Sequence, residues 1–357
     1  MKIMYLAFAN SAHTLKWVNY FKKKHEIMLV SFYDWQPIER VDLRYLPVRN
    51  KNLAIFKANR VKRLINEFKP DILHAHFASS CGLVAALTGF HPYILSVWGD
   101  DILVFPNKSV VHKRAVKYAI NSADYLTATS NMLREHTKKL MNKQREITII
   151  PFGVDLQHFA PVERTPKGIV HVGTVRGLTP KYGVEYLIKA VGQLIKNGKN
   201  LKLTIVGDGP IRGELENLAS SLGIKERIYF AGFIPNEKVV SFLNEFDIFA
   251  IPSVGEGETF GVAAVEAMAT ALPVVASRVG GLPEVIDDRK TGMLVQPANV
   301  MELAKALEIY ASKPDLRITH GQAGRRKVEA QYNLEENAIL MDNLYDTAMA
   351  NRNFRTR

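Results

Sequence analysis

Short apolar runs alternate with amphipathic stretches along almost the whole chain, and that alternation is what most constrains its fold. In the first half the apolar runs fall at Lys2–Ala7, Glu26–Ser31, Asp42–Val48, Asp71–Ala75, Tyr93–Val97, Tyr125–Ala128 and Ile147–Ile150. In the second half they fall at Gly168–Val172, Leu201–Val206, Ile228–Phe230, Ile248–Ile251, Val274–Ala276 and Met293–Val295. Helical periodicity lies between them, as in Leu53–Phe68 and Val110–Ala119. Strands buried on both faces read as continuous apolar runs, and a helix between two strands carries the chain back so that they pair in parallel. The expected class is α/β, with Rossmann-like, doubly wound, mostly parallel sheets.

A chain of 357 residues is long for one such sheet and natural for two. The rhythm breaks near Pro151–Glu163, and Pro161 to Gly168 is polar with two prolines, the composition of a hinge. Domains are expected at 1–160 and 161–332. Asn333–Ala350, with Leu334, Ile339, Leu340, Leu344 and Met349, reads as a last helix before a basic tail, Asn351–Arg357. No apolar run reaches the length of a membrane span. Met1–Ala9 reads as a first strand, because it lacks a cleavage pattern. The single cysteine, Cys81, excludes internal disulfides and thiolate clusters, which fits a reducing cytoplasm; Cys81 itself reads as a small buried hydrophobe.

Charge is unevenly placed. Residues 1–160 hold 23 of the 47 Lys and Arg but only 12 of the 35 Asp and Glu. The basic first half calls for an anionic partner: a membrane surface, a phosphorylated acceptor or nucleic acid. Three basic clusters favour a membrane: Lys22–Lys24; Lys57, Arg60, Lys62, Arg63 and Lys69; and Lys113, Arg114 and Lys117. A peripheral position at the inner face of the cytoplasmic membrane is expected. Nucleic acid is disfavoured, since no basic stretch is interleaved with aromatic residues.

Chemistry concentrates in the second half. Glu258-Thr-Phe-Gly-Val-Ala-Ala-Val-Glu266 follows the apolar run Asp247–Ser253 and reads as strand, loop and helix, with one Glu before the helix and the other about two turns inside. Eight helical residues span roughly 12 Å. Carboxylates that hydrolyse one glycosidic bond stand about 5 to 9.5 Å apart. The pair therefore suits the two ends of an elongated ligand, with a phosphate at the helix start between them. Upstream, Arg176 and Lys181 follow the strand that ends at Gly173, on a loop whose cations suit a diphosphate. Gly207-Asp-Gly-Pro210 reads as a glycine turn with Asp208 as helix cap. No glycine lies in Ala7–His13, which argues against a dinucleotide fingerprint and an oxidoreductase.

The spaced glutamates, with Phe260-Gly261 after the first and Glu266-Ala-Met-Ala269 at the second, resemble the signature of the family 4 retaining glycosyltransferases. Pro70–His76, Ile150–Asp155 with Phe159, Val172-Gly173, Leu203–Pro210, Phe230–Pro235 and Gly280–Glu284 match that family in order. The resemblance implies the GT-B fold, two Rossmann-like domains facing across a cleft, with the last helix crossing back to the first. It implies a hexosyl transfer from a nucleotide diphosphate sugar, of UDP or GDP type, to a lipid-linked or polysaccharide acceptor, with retention, no metal ion and no further cofactor. Catalysis would fall to Arg176 and Lys181 on the phosphates and Glu258 on the transferred sugar. Gly173, Thr174, Gly207, Asp208, Thr259, Phe260, Gly261 and Val262 would hold the rest of the donor, Glu266 the ribose, and Phe233 and Ile234 the base. Arg176 follows Gly173 by three residues where the family's Arg usually follows directly, and Glu256 is an alternative first Glu.

In the first half, Asn10, Ser11 and His13 stand where the family commonly has glycines, and Trp98 where many relatives have a His. Asn10, His13, His76, Trp98 and Asp100 are the expected acceptor or sugar contacts, with Asp101 an alternative to Asp100 and core packing an equal alternative to sugar stacking for Trp98. His74 and His76 share a strand face without a third ligand nearby, so they read as partly buried histidines at a strand end near the ligand cleft, and a metal is not expected. A nucleotide-sugar epimerase of the same architecture is the alternative activity.

Overall fold

The structure is a computed structural model that describes residues 1–164, 168–255 and 257–355. The chain forms two compact units, Met1–Phe152 with Glu336–Arg357, and Gly153–Glu335.

The first unit holds β1 (Lys2–Leu6), β2 (Glu26–Ser31), β3 (Val41–Tyr45), β4 (Ile72–His76), β5 (Tyr93–Val97), β6 (Tyr125–Ala128) and β7 (Thr148–Ile149). They lie in the order β3-β2-β1-β4-β5-β6-β7, all parallel. Every residue of β4 and β5 is buried, the polar His74, His76 and Ser96 included. Prolines set two strand ends. The Leu46 N–H still reaches the Ser31 carbonyl at 2.8 Å, but Pro47 offers no N–H to continue. Likewise the Ile150 N–H reaches Ala128 at 2.9 Å before Pro151. The stretch expected as one helix over Leu53–Phe68 divides into a 3₁₀ turn, Lys51–Lys57, and an α-helix, Ala58–Phe68.

The last helix, Leu334–Arg355, buries Ala338, Met341, Leu344, Tyr345 and Ala348 along one face, whereas Ile339 and Leu340 are exposed. The Tyr345 hydroxyl lies 2.7 Å from both the Tyr5 hydroxyl and His74 Nδ1. Asn337 donates to the Pro151 carbonyl at 3.1 Å.

The second unit holds β8 (Val170–Val175), β9 (Leu201–Val206), β10 (Ile228–Gly232), β11 (Ile248–Ile251), β12 (Val274–Ser277) and β13 (Gly292–Val295). Their order is β10-β9-β8-β11-β12-β13, again parallel. The unit begins earlier than the expected boundary at 160. Val154 pairs with Asn333, and Arg325 donates to the carbonyls of Phe159 at 2.9 Å and Ala269 at 2.7 Å, so Gly153–Ala160 belongs to this core. Of the expected hinge, Thr165–Lys167 lies outside the described residues.

In each sheet the chain winds one way from the first strand and then returns to its other side. The order reverses between β1 and β4, and between β8 and β11. Loops leaving the carboxyl ends of those pairs diverge, which is where ligands of such sheets bind.

Candidate active site

In the second unit the loops after β8, β9 and β11 are fastened to one another by backbone. The Arg176 N–H donates to the Val206 carbonyl at 2.8 Å, and the Leu178 N–H to the Asp208 carbonyl at 2.9 Å. Gly207 has φ +132°, and a Cβ there would stand 1.8 Å from the Arg176 carbonyl oxygen. Gly209 approaches Leu178 in the same way, at 2.3 Å. These glycines are needed because two loops touch, not because a helix starts there. That helix begins at Arg212, and Asp208 is not its cap; its carboxylate accepts from the Gly209 N–H at 2.8 Å and pairs with Arg212. On the other side, the Val254 N–H donates to the Lys181 carbonyl at 3.0 Å.

β8 runs on to Val175, so Gly173, expected as the strand's last residue, and Thr174, expected on the loop, both lie inside the strand. A Cβ at Gly173 would stand 2.1 Å from the Phe246 ring, so the residue is small to admit that ring. The longer strand also explains the shifted Arg: Arg176 is the first residue beyond β8.

Arg176 meets Glu258. Its terminal nitrogen lies 2.6 Å from Glu258 Oε2, with both side chains 8% exposed. Ser253 donates to the same carboxylate oxygen at 3.0 Å. Arg176 Nε is buried and has no hydrogen-bond partner among the described residues. Arg176 and the exposed Lys181 both lie over the Tyr182 ring, at 5.1 and 5.0 Å from its centroid. Two cations and a carboxylate thus gather at the reversal point of the sheet.

Helix Val262–Ala269 starts after Gly261, which takes φ +87° as its N-cap. Glu266 is therefore just over one turn inside, not two. It is 4% exposed, and Asn236 donates to it at 3.3 Å. Asn236 opens the helix after Phe233-Ile234-Pro235, which ties Glu266 to the loop leaving β10. Phe233 is 76% exposed and Ile234 half-buried. Phe260 is buried, edge-on to Tyr332. The Glu258–Gly261 turn rests on Gly281, whose N–H donates to the Glu258 carbonyl at 2.8 Å and whose missing side chain admits the Thr259 carbonyl. Thr259 and Val262 flank that turn. Glu256 lies outside the described residues.

Sequence reasoning gave no role to Tyr182, Ser253, Asn236 or Gly281. Only Gly281 left a signal, in the Gly280–Glu284 stretch, because the others act through side-chain contacts that carry no motif.

In the first unit the loop after β1 exposes Asn10, while Ser11 caps helix Ala12–Phe21. His13 stacks on Phe152, with ring centroids 4.0 Å apart, and meets Trp98 edge-on. Its Nδ1 is buried with no partner among the described residues, and burial, helped by Lys16, lowers its pKa to about 3. His76 is fully buried beside Thr14, its Nδ1 3.3 Å from the hydroxyl. Burial, then His74 and His13, holds it well below the usual histidine range.

Three expectations change here. Trp98 is 6% exposed and packs against His76, Phe77 and Phe152, so it forms a wall rather than an open stacking face. Asp101 is buried and accepts from the N–H groups of Ala78, Trp98 and Gly99 at 2.7–3.2 Å, so it shapes the turn. Asp100 is the exposed one of the pair. His74 is not at the ligand edge: both ring nitrogens are engaged, by Tyr345 and by Ser96 at 2.7 Å, and burial lowers its pKa to about 3. No three metal-ligating side chains gather among the described residues.

The chain is similar to known proteins in sequence and in fold. The family profile for glycosyl transferases group 1 matches residues 159–327, and that for glycosyl transferase 4-like proteins matches residues 2–130. The putative teichuronic acid biosynthesis glycosyltransferase TuaC of Bacillus subtilis is 30% identical over 84% of this chain and 76% of its own. A GDP-mannose-dependent alpha-(1-6)-phosphatidylinositol monomannoside mannosyltransferase of Mycolicibacterium smegmatis is 30% identical over 75% of this chain and 74% of its own. Among solved structures, Anabaena HepE in complex with UDP-glucose superposes with a TM-score of 0.82 at 19% identity, over 97% of this chain and 100% of that one. At that identity the likeness is one of fold.

Proposed function

This chain belongs to the group 1 glycosyl transferases, with their GT-B fold, and from that premise we propose that it moves a sugar from a nucleoside diphosphate to a lipid-linked or polysaccharide acceptor, with retention and without a metal ion. The observation that carries this reading is the gathering of Arg176, Lys181 and Glu258 on loops at the reversal point of the second sheet, with Glu266 buried in the helix that follows. The named relatives support the substrate classes: one uses GDP-mannose and acts on a phosphatidylinositol mannoside, one serves teichuronic acid, and HepE binds UDP-glucose. A cell-envelope glycan made at the inner face of the membrane fits them.

The donor's diphosphate would lie over the Arg176–Gly183 loop. As the bond from sugar C1 to the β-phosphate oxygen breaks, negative charge grows on that phosphate. Fixed cations in a partly desolvated site stabilise it without reorganising. The acceptor oxygen would bond to C1 from the same face and pass its proton to the departing phosphate oxygen. Glu258 is held by Arg176 and Ser253, which suits a carboxylate that binds sugar hydroxyls better than one that attacks carbon. Glu266, which accepts from Asn236, would take the ribose hydroxyls. The exposed Phe233 segment would flank the base, and Asn10, His13 and Asp100 would approach the acceptor.

Thermal unfolding with UDP, GDP and their sugars is the first test, because a ligand of the native state raises stability. One nucleoside diphosphate and its sugar should raise the midpoint. Transfer with that donor, followed by NMR of the anomeric proton, should show the donor's configuration and should survive a strong chelator. An inverted product, or activity restored only by added divalent metal, defeats the mechanism. Conversion of the donor to its epimer without an acceptor would favour the epimerase.

A further inference from the structure

The basic helix that the charge pattern singled out has no apolar face to offer a membrane. In Ala58–Phe68 the side chains of Val61, Leu64, Ile65 and Phe68 are buried in the core. The exposed apolar side chains lie beside it instead. Phe56 is 79% exposed at the end of the 3₁₀ turn Lys51–Lys57, with Leu53 and Ile55 also exposed. Val110 and Val111 are 66% and 72% exposed at the start of helix Val110–Ser122.

Topology puts these residues on one edge. The 3₁₀ turn follows β3, and helix Val110–Ser122 follows β5, so both begin beyond the carboxyl ends of parallel strands. Both also pack against helix Ser80–Thr88, which places them in one layer of the unit. The loop carrying Asn10 and His13, after β1, and Asp100, after β5, leave the same edge.

Charge decides the occupant. Lys57, Arg60, Lys108, Lys113 and Arg114 lie within four residues of the apolar tips along the chain, and neither 49–66 nor 102–123 contains an Asp or Glu. Scattered exposed apolar residues are ordinary, but apolar tips carried on segments whose only charged residues are Lys and Arg match the boundary of an anionic bilayer. We propose that the protein docks on anionic lipid through this edge. Phe56, Val110 and Val111 enter the acyl boundary, these Lys and Arg side chains sit among the headgroups, and the acceptor loops face the surface from which a lipid-linked acceptor arrives. The inference deepens the proposed transfer to a lipid-linked acceptor and rests on it.

The test is sedimentation of the full chain with vesicles of three parts phosphatidylcholine to one part phosphatidylglycerol. Binding is expected at low salt, with a remnant at high salt because insertion is not screened. The triple variant Phe56→Ser, Val110→Ser, Val111→Ser should lose about tenfold or more in binding at both salts. The variant Lys113→Glu, Arg114→Glu should lose the salt-sensitive part only. Circular dichroism and nucleoside-diphosphate binding should match wild type in both, because every altered side chain is exposed and in the first unit. Wild-type vesicle binding by the triple variant overturns the proposal. So does a change in its oligomeric state without a change in vesicle binding, which would make the edge a protein interface. Failure of the wild type to bind any nucleoside diphosphate sinks the proposed function and leaves the docking result standing.

Discussion

Arg176 and Glu258 are each other's partner, 2.6 Å apart and 8% exposed, on loops that leave different strands. The family resemblance assigns Arg176 to the donor's phosphates and Glu258 to its sugar. On that assignment one ion pair would span the bond to be broken, and a donor would have to share the charges that the pair now satisfies.

Removing one side of such a pair strands the other. Arg176→Met and Glu258→Gln are each expected to destabilise the second unit, toward the ~3–5 kcal/mol seen when buried pairs are broken. The double variant should lose less than the sum, with a coupling of about 0.5–3 kcal/mol. Urea unfolding of the four proteins measures this. Additive losses would show that the pair carries no coupling.

Lys181 separates turnover from stability. It is exposed, and its ammonium lies over Tyr182. Lys181→Ala should leave the unfolding midpoint unchanged and lower kcat by about 100- to 1000-fold, the usual loss of one group that stabilises transition-state charge. Turnover equal to wild type would remove Lys181 from the mechanism.

The strands were legible because strands buried on both faces leave unbroken apolar runs, as in Ile27–Val30 and Ile248–Ile251. The motif glutamates were legible because their spacing is local. What sequence could not supply was the partner of each side chain. Nothing in Ser96–Asp101 tells which Asp turns inward, since that depends on the N–H groups of Ala78 and Gly99. Trp98 was open between stacking and packing until His76, Phe77 and Phe152 closed around it. Gly173 and Gly207 looked like ligand-loop glycines. Their reasons are a ring of Phe246 and a carbonyl of Arg176, both distant in sequence.

Glu266 and Glu258 should divide the donor between them. Glu266→Ala should weaken binding of the free nucleoside diphosphate and its sugar alike, because both carry the ribose. Glu258→Gln should weaken the sugar donor and spare the free nucleotide. Calorimetric titration of both ligands into both variants checks the orientation, and equal losses throughout contradict it.

Gly207 tests whether the loop contact matters to chemistry. Gly207→Ala adds a methyl group that would stand 1.8 Å from the Arg176 carbonyl, at a φ of +132° that side chains rarely adopt. The strained backbone costs on the order of 1–3 kcal/mol. The Arg176 loop must move, so kcat should fall although no group near the donor is removed. A folded Gly207→Ala protein with wild-type kcat would show that this approach does not set the position of Arg176.

The first unit should be acid-sensitive because of its buried histidines. His13 and His74 fall from 6.5 to about 3 through burial, and His76 falls well below its usual value for the same reason. In the unfolded chain each titrates near 6.5. Between that value and about 3 the unfolded state therefore binds protons that the native state refuses, and stability rises with pH. The stabilisation from neutral burial is complete above about pH 6.5 and is lost as pH falls toward 3. Each histidine contributes a slope of up to about 1.4 kcal/mol per pH unit in that window. His13→Phe keeps an aromatic ring beside Phe152 and removes one proton site. Urea unfolding of wild type and variant, from neutral pH down to the acid limit of folding, should give the variant the shallower fall. Parallel curves would mean that His13 is protonated in the folded protein, and its role as a neutral wall beside Trp98 would fail.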